Sequence, residues 1–114
     1  MRKTKDFTPN ACPVTHTLNK IGGKWKPVIL YLVTNGCNRF SGLQRAIPAI
    51  SKQMLVNQLR ELETDAVVER HVFAQVPPKV EYQLTPYGAS LLPIIGALRE
   101  WGMQDMQKAA ACVE

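Results

Sequence analysis

The sequence predicts an α+β domain: pairs of helices first, then a β-hairpin, then one long closing helix. Three observations carry this expectation. Apolar residues recur at helical spacing from Val14 to Leu62. Two short stretches, Val67 to Phe73 and Val80 to Leu84, are alternating or rich in β-branched residues, as strands are. A last stretch from Thr85 to about Ala110 returns to the helical period.

Each element has its own start and stop signals. Cys12-Pro13 opens the first helix, because proline suits the first helical position. Val14, Leu18 and Ile21 form its apolar side, and Gly22-Gly23 ends it. The second helix, about Trp25 to Thr34, is apolar nearly all round and is expected to be buried on most sides. Pro27 falls in its first turn, where the missing N–H costs nothing. After Asn35-Gly36 and a short extended piece at Cys37 to Phe40, Ser41 is the expected cap of a third helix that Pro48 halts. Ser51 caps a fourth helix running to about Asp65. Two short helices joined by Pro48-Ala49-Ile50 have the spacing of a helix-turn-helix. The link from Ala74 to Lys79 is too long for a two-residue turn and is expected to project, with Lys79 near its apex. Pro93 is expected to kink the last helix.

With 114 residues, 46% of them hydrophobic and 20% charged, the chain suits one globular domain. Residues 1–11 read as a basic arm and 12–114 as the domain. The apolar run from Pro27 to Val33 is far short of a membrane span, and no apolar stretch follows the basic start as a secretory signal requires. A cytoplasmic location without membrane contact is the resulting expectation. Cys12, Cys37 and Cys112 are odd in number and widely spaced, so they read as free thiols, and His16 and His71 are too far apart to suggest a metal cluster. Neither a metal nor a cofactor is expected.

The net charge of +5 is unevenly distributed. No Asp or Glu occurs between Phe7 and Arg60, while Lys20, Lys24, Lys26, Arg39, Arg45, Lys52 and Arg60 all do. From Glu61 to Glu114 the acids outnumber the bases by eight to four. Such a block separation attracts a polyanion to one part of the molecule. Nucleic acid is the favoured partner, although a solvated basic surface without one has the same charge.

The fourth helix adds a reading surface. At about 100° per residue, Leu55, Leu59, Leu62 and Ala66 share one side, and Gln53, Asn57, Arg60 and Thr64 the other. Gln, Asn and Arg carry the donor and acceptor pairs that match adenine and guanine edges. The helix also breaks the dipole rule, with Lys52 at its start and Glu61, Glu63 and Asp65 at its end. A positive start with a lysine beside it suits a phosphate. The candidate DNA contacts are Arg39, Ser41, Arg45, Ser51, Lys52, Gln53, Asn57, Arg60 and Lys79.

Two further features stay open. The last helix carries Tyr87, Leu91, Ile94, Ile95, Leu98 and Trp101 as one apolar band. It either packs within one chain or pairs, with Leu18, across the two-fold axis of a homodimer. Cys12, at a helix start beside basic residues, is a candidate redox or electrophile sensor, and a thiol without special role fits the same place.

Taken together, CPVTHTLNKIGGKWKPVILYLV, RFSGLQRAIPAISKQMLVNQLRELETDAVVER and VPPKVEYQLTPYGASLLPIIGALREWG resemble the HxlR family of winged helix-turn-helix regulators. The resemblance runs from Cys12 to Gly102. It implies a winged helix-turn-helix fold, a dimer built from the first and last helices (Leu18, Leu91, Ile95, Leu98, Trp101), a recognition helix at Ser51 to Asp65 and a DNA-contacting wing around Lys79. It also implies that a cysteine at the position of Cys12 senses oxidants or electrophiles in some members. Glycine is usual in the family where Ala49 and Ala66 stand, and at Ala66 this puts a left-handed helix cap in question. The function expected is transcription regulation on double-stranded, palindromic operator DNA, and the alternative is a winged-helix protein-interaction module without DNA affinity. No nucleophile–base arrangement, phosphate-cradling glycine loop or paired carboxylates suggest an enzyme.

Overall fold

The structure is a computed structural model that describes residues 12–113, with the side chains of residues 12–109. The expected arm and the Cys112 side chain lie outside these residues. The order is α1 (Pro13–Ile21), α2 (Lys26–Thr34), α3 (Phe40–Ala46), α4 (Lys52–Thr64), β1 (Val68–Phe73), β2 (Lys79–Leu84), α5 (Pro86–Ala89) and α6 (Leu92–Val113). The strands form an antiparallel hairpin with Val68 opposite Leu84 and Phe73 opposite Lys79. Helices plus a small two-stranded wing is the α+β arrangement expected.

One core joins the elements. Ile21 of α1, Ile29, Leu30 and Val33 of α2, Leu43 of α3 and Leu55, Leu59 and Leu62 of α4 meet Val67, Val68 and Tyr82 beneath the hairpin. Ile47 and Ile50 are buried on either side of Pro48, so the turn between α3 and α4 is itself pinned to the core.

Several boundaries differ from expectation for identifiable reasons. Arg39, not Ser41, is the N-cap residue of α3. The Tyr82 N–H donates to the Asn38 carbonyl at 2.9 Å, which ends the extended piece there and lets the chain coil at once. Lys79 is the first residue of β2 and sits opposite Phe73, not near the loop apex, because the hairpin ladder extends one residue further than alternation alone suggests. The second helix is buried on one side only: Val28 and Tyr31 are exposed.

The closing helix is divided. Thr85 caps the short α5, its hydroxyl accepting from the Gly88 N–H at 2.8 Å, and the chain then turns at Ser90 and Leu91 before α6 begins. Pro93 has no N–H to donate back, so an unbroken helix across this point would lose a bond; as the second residue of α6 it loses none. Gly88 is packed so closely on Val67, the residue before β1, that a Cβ there would lie 2.0 Å from the Val67 carbonyl oxygen. The turn therefore lays α5 flat against the hairpin base.

Ala66 keeps the left-handed cap that its side chain disfavours, with φ of 62°. The Ala66 N–H donates to the Glu63 carbonyl and the Val67 N–H to the Leu62 carbonyl, both at 2.9 Å. These two bonds form a Schellman cap on α4. The Thr85 hydroxyl donates to the Ala66 carbonyl, tying the cap to the start of α5. Ala66 is thereby turned out to solvent instead of joining Leu55, Leu59 and Leu62 in the core. Ala66→Gly removes the Cβ penalty at this φ and is expected to raise unfolding stability by about 1 kcal/mol, read as a higher urea midpoint at unchanged m-value.

Candidate nucleic-acid interface

The rotation of α4 about its axis is set by Leu55, Leu59 and Leu62, all buried to 1% exposure or less. Gln53, Asn57, Arg60 and Thr64 are consequently exposed along the opposite side. Gln53 Nε2 donates to Asn57 Oδ1 at 3.0 Å, one turn along. The pair leaves the Gln53 carbonyl and the Asn57 amide group to face outward, so acceptor and donor are presented from one fixed unit. Ser51 caps the helix by accepting from the Met54 N–H at 3.1 Å, and Lys52 stands exposed beside it. The exposed Arg39, Ser41 and Arg45 belong to α3 and its cap, the other half of the helix-turn-helix.

The acids that break the dipole rule are answered by bases from three other elements. Lys26 Nζ lies 2.6 Å from Glu61 Oε1, Lys20 Nζ 3.7 Å from Asp65 Oδ1, and Arg70 Nε 3.9 Å from Glu63 Oε1. The Lys26 ammonium is buried, so its pair with Glu61 is a structural tie between α2 and α4. Two of the seven front-end cations are thus occupied. Lys24, Arg39, Arg45, Lys52 and Arg60 have no ion-pair partner among the described residues. Four of these five lie on α3, α4 or the α3 cap, so most of the uncompensated positive charge is carried by the same two helices as the polar row.

Lys79 is placed differently from the rest. Its ammonium is 3.2 Å from Glu81 Oε2 and 5.1 Å from the Phe73 ring centroid, which holds it along the wing. The loop beyond it, residues 74–78, is exposed and uncharged. Arg70, on β1, was not singled out by sequence; only the fold places it beside Glu63 at the end of α4. No group of three metal-ligating side chains occurs among the described residues.

Of the side chains expected at a two-fold seam, Leu18, Leu98 and Trp101 are exposed, Trp101 by 69%. Leu91 is half-buried against the core, and Ile95 is buried within the subunit itself. Ile95 faces inward because it lies at the edge of the apolar band of α6, about 120° around the helix from Trp101. Val14, Ile94 and Met106 are exposed apolar neighbours on the same two helices.

Cys12 is the N-cap residue of α1 and is half-buried. No side-chain hydrogen bond closes the cap. The unpaired N–H groups of Thr15 and Val14 nevertheless hold its thiol below the ordinary cysteine pKa, and the slight desolvation opposes them. Cys37 is also a free thiol, half-buried near Gly42.

Comparison with known proteins agrees with this geometry. Residues 20–110 match the family described as HxlR-like helix-turn-helix. The HTH-type transcriptional regulator YybR of Bacillus subtilis is 49% identical over 104 residues, covering 90% of this chain and 83% of the relative. The structure of the redox regulator HypR in its reduced form superposes with a TM-score of 0.81 at 46% identity, covering 88% of this chain and 99% of that one. Reduced YodB from B. subtilis, a transcriptional regulator, superposes with a TM-score of 0.70 at 34% identity, covering 82% and 92%. The winged helix-turn-helix arrangement of these regulators is the one found here.

The lowered thiol pKa has a direct consequence. More thiolate is present at neutral pH, so alkylation of Cys12 by iodoacetamide is expected to rise with a midpoint below that of a free-cysteine peptide measured alongside. Mass-spectrometric rates for the Cys12 peptide across pH measure it, and a midpoint at or above the free value refutes the assignment.

Proposed function

The chain belongs to the HxlR-like helix-turn-helix family, and from that premise we propose that it binds operator DNA as a homodimer through α3 and α4. It is a transcriptional regulator of helix-turn-helix type and not an enzyme. One observation carries the DNA-binding reading: the exposed polar row of α4 and four of the five uncompensated cations lie on the two helices of the helix-turn-helix and its cap. Gln53, Asn57 and Arg60 read base edges in the major groove, Thr64 extends their row, and Arg39, Ser41, Arg45, Ser51 and Lys52 hold flanking phosphates. The start of α4 contributes its dipole to a phosphate beside Lys52. Lys79 reaches the backbone from the wing after exchanging Glu81 for a phosphate. The protein works in the cytoplasm, where its operator is.

The dimer reading is supported by apolar side chains left in water on α1 and α6. Leu18 and Trp101 are its centre, Leu91 and Leu98 lie at its edge, and Ile95 supports α6 from the core side. Two-fold pairing of the subunits matches a palindromic operator. Redox control through Cys12 is supported by its lowered pKa and by the likeness to HypR, which is a redox regulator.

Gel shifts with operator and random duplex at two salt concentrations test DNA binding. Arg60→Ala is expected to cost about 1–3 kcal/mol on the operator and relax base preference, while Lys52→Ala weakens both duplexes and lowers the salt slope by about one. Diamide is expected to change the affinity of the wild type and not that of Cys12→Ser. Absence of any salt-sensitive binding would assign the fold to protein interaction instead. For the dimer, Trp101→Asp places a charge in the proposed seam, and sedimentation is expected to show the mass falling to that of one chain. An unchanged mass removes Trp101 from the interface.

A further inference from the structure

An open cavity of about 310 Å³ lies between α2 and α6, away from the DNA-facing row. Pro27, Val28 and Tyr31 form one wall, and Ile95, Leu98 and Arg99 form the other. This gap is the reason Val28 and Tyr31 remain exposed on a helix whose composition suits full burial. The walls are apolar except at one place. Arg99 Nε donates to the Tyr31 hydroxyl at 3.1 Å, and the guanidinium carbon stands 5.9 Å from the Tyr31 ring centroid. No carboxylate among the described residues is within ion-pair distance of Arg99. Tyr31 fixes the guanidinium while leaving its charge unneutralised. The Tyr31 oxygen accepts from Arg99, so its own proton is free to be donated elsewhere.

We propose that this cavity binds a small planar organic acid. Its ring or unsaturated chain lies among Pro27, Val28, Ile95 and Leu98, and its carboxylate takes the two terminal amino groups of Arg99 and the Tyr31 hydroxyl. A mostly apolar slot of this size with one convergent polar pair is the usual form of a small-molecule site. The planar fork of arginine matches a carboxylate better than a single point charge does.

A second copy of the chain is the competing occupant, and the helix geometry argues against it. At about 100° per residue, Ile95, Leu98 and Arg99 centre about 100° around α6 from Ile94 and Trp101. The cavity thus faces α2 of its own subunit, whereas the exposed Ile94 and Trp101 face away from it. Its two walls are the helix that supports α4 and the helix that carries the proposed seam. An occupant that wedges them apart alters the spacing of the two reading helices. That coupling rests on the DNA-binding reading, but the binding does not.

Cinnamate, a planar aromatic acid, and the neutral cinnamyl alcohol are the probes, each titrated into the isotope-labelled full chain without DNA and followed by amide NMR shifts. Saturable shifts at residues 28–31 and 95–99 are expected with cinnamate. Arg99→Met keeps the stem and removes the charge at an exposed position, so it leaves the fold intact. It is expected to weaken cinnamate by about tenfold and to leave cinnamyl alcohol unchanged. Val28→Trp, which fills the slot, is expected to remove both. Equal cinnamate affinity in Arg99→Met, or no saturation at all, overturns the proposal. Shifts centred on Ile94 and Trp101 instead would also overturn it and give the face to a second copy. None of these outcomes depends on whether the protein binds DNA.

Discussion

Burial of Leu55, Leu59 and Leu62 governs what the protein presents to its surroundings. A helix is a rigid rod, and fixing one side of it fixes every other side. These three leucines make α4 part of the core, so the direction of Gln53, Asn57 and Arg60 is decided by packing and not by the polar residues themselves. The Schellman cap at Ala66 and the Ser51 cap hold the two ends. With both ends fixed and one side buried, the helix can neither slide nor roll. A surface meant to match base edges needs that rigidity, because a small rotation would misdirect every donor.

Electrostatics follows the same frame. Glu61, Glu63 and Asp65 would oppose both the helix dipole and a polyanion if they stood alone. Their pairing with Lys26, Arg70 and Lys20 localises the negative charge at the end of α4 remote from Ser51. The same pairs connect α4 to α2, β1 and α1. Positive charge is left over at the start of α4 and along α3, where Lys52, Arg39 and Arg45 are free of acids. The field therefore runs along the reading helix, strongest at the end where backbone N–H groups are unpaired.

Features set within a few residues were legible in the sequence, and those set between distant segments were not. Ser51, Pro13 and the Thr85 cap on Gly88 act within one turn of themselves, and each sits where local chemistry puts it. The exposed row of α4 follows from its period alone. By contrast, the front-end cations were counted as seven free charges, because nothing in the sequence says that Lys20 meets Asp65 or that Lys26 meets Glu61. Lys79 sits in the strand and not near the loop apex because the hairpin ladder, not the loop composition, decides which residue ends the strand. Ala66 was doubted on its side chain, yet two backbone bonds and the Thr85 hydroxyl outweigh a Cβ penalty of about 1 kcal/mol. Tyr31 and Arg99, sixty-eight positions apart, share a hydrogen bond that no periodicity could announce.

The placement of α6 has the widest effect of these long-range features. An unbroken helix from Pro86 would carry Tyr87, Leu91, Ile94, Ile95, Leu98 and Trp101 as one stripe on a single face. The turn at Ser90 and Leu91 sets Tyr87 apart from that stripe, and within α6 Ile95, at one edge of the band, enters the core, whereas Leu98 and Trp101 stay outside it. Twenty-two residues of helix then extend about 33 Å from the turn, far beyond what one small core can cover. Such a rod holds its apolar side chains at fixed spacing, which suits pairing with an identical rod. Meanwhile the first turns of α6 stand off from α2 by the width of a ring, since Pro27 and Val28 meet Ile95 and Leu98 only around a gap. The angular positions of Ile95, Leu98 and Trp101 on one helix therefore separate the subunit's core, a pocket beside it and an apolar outer face.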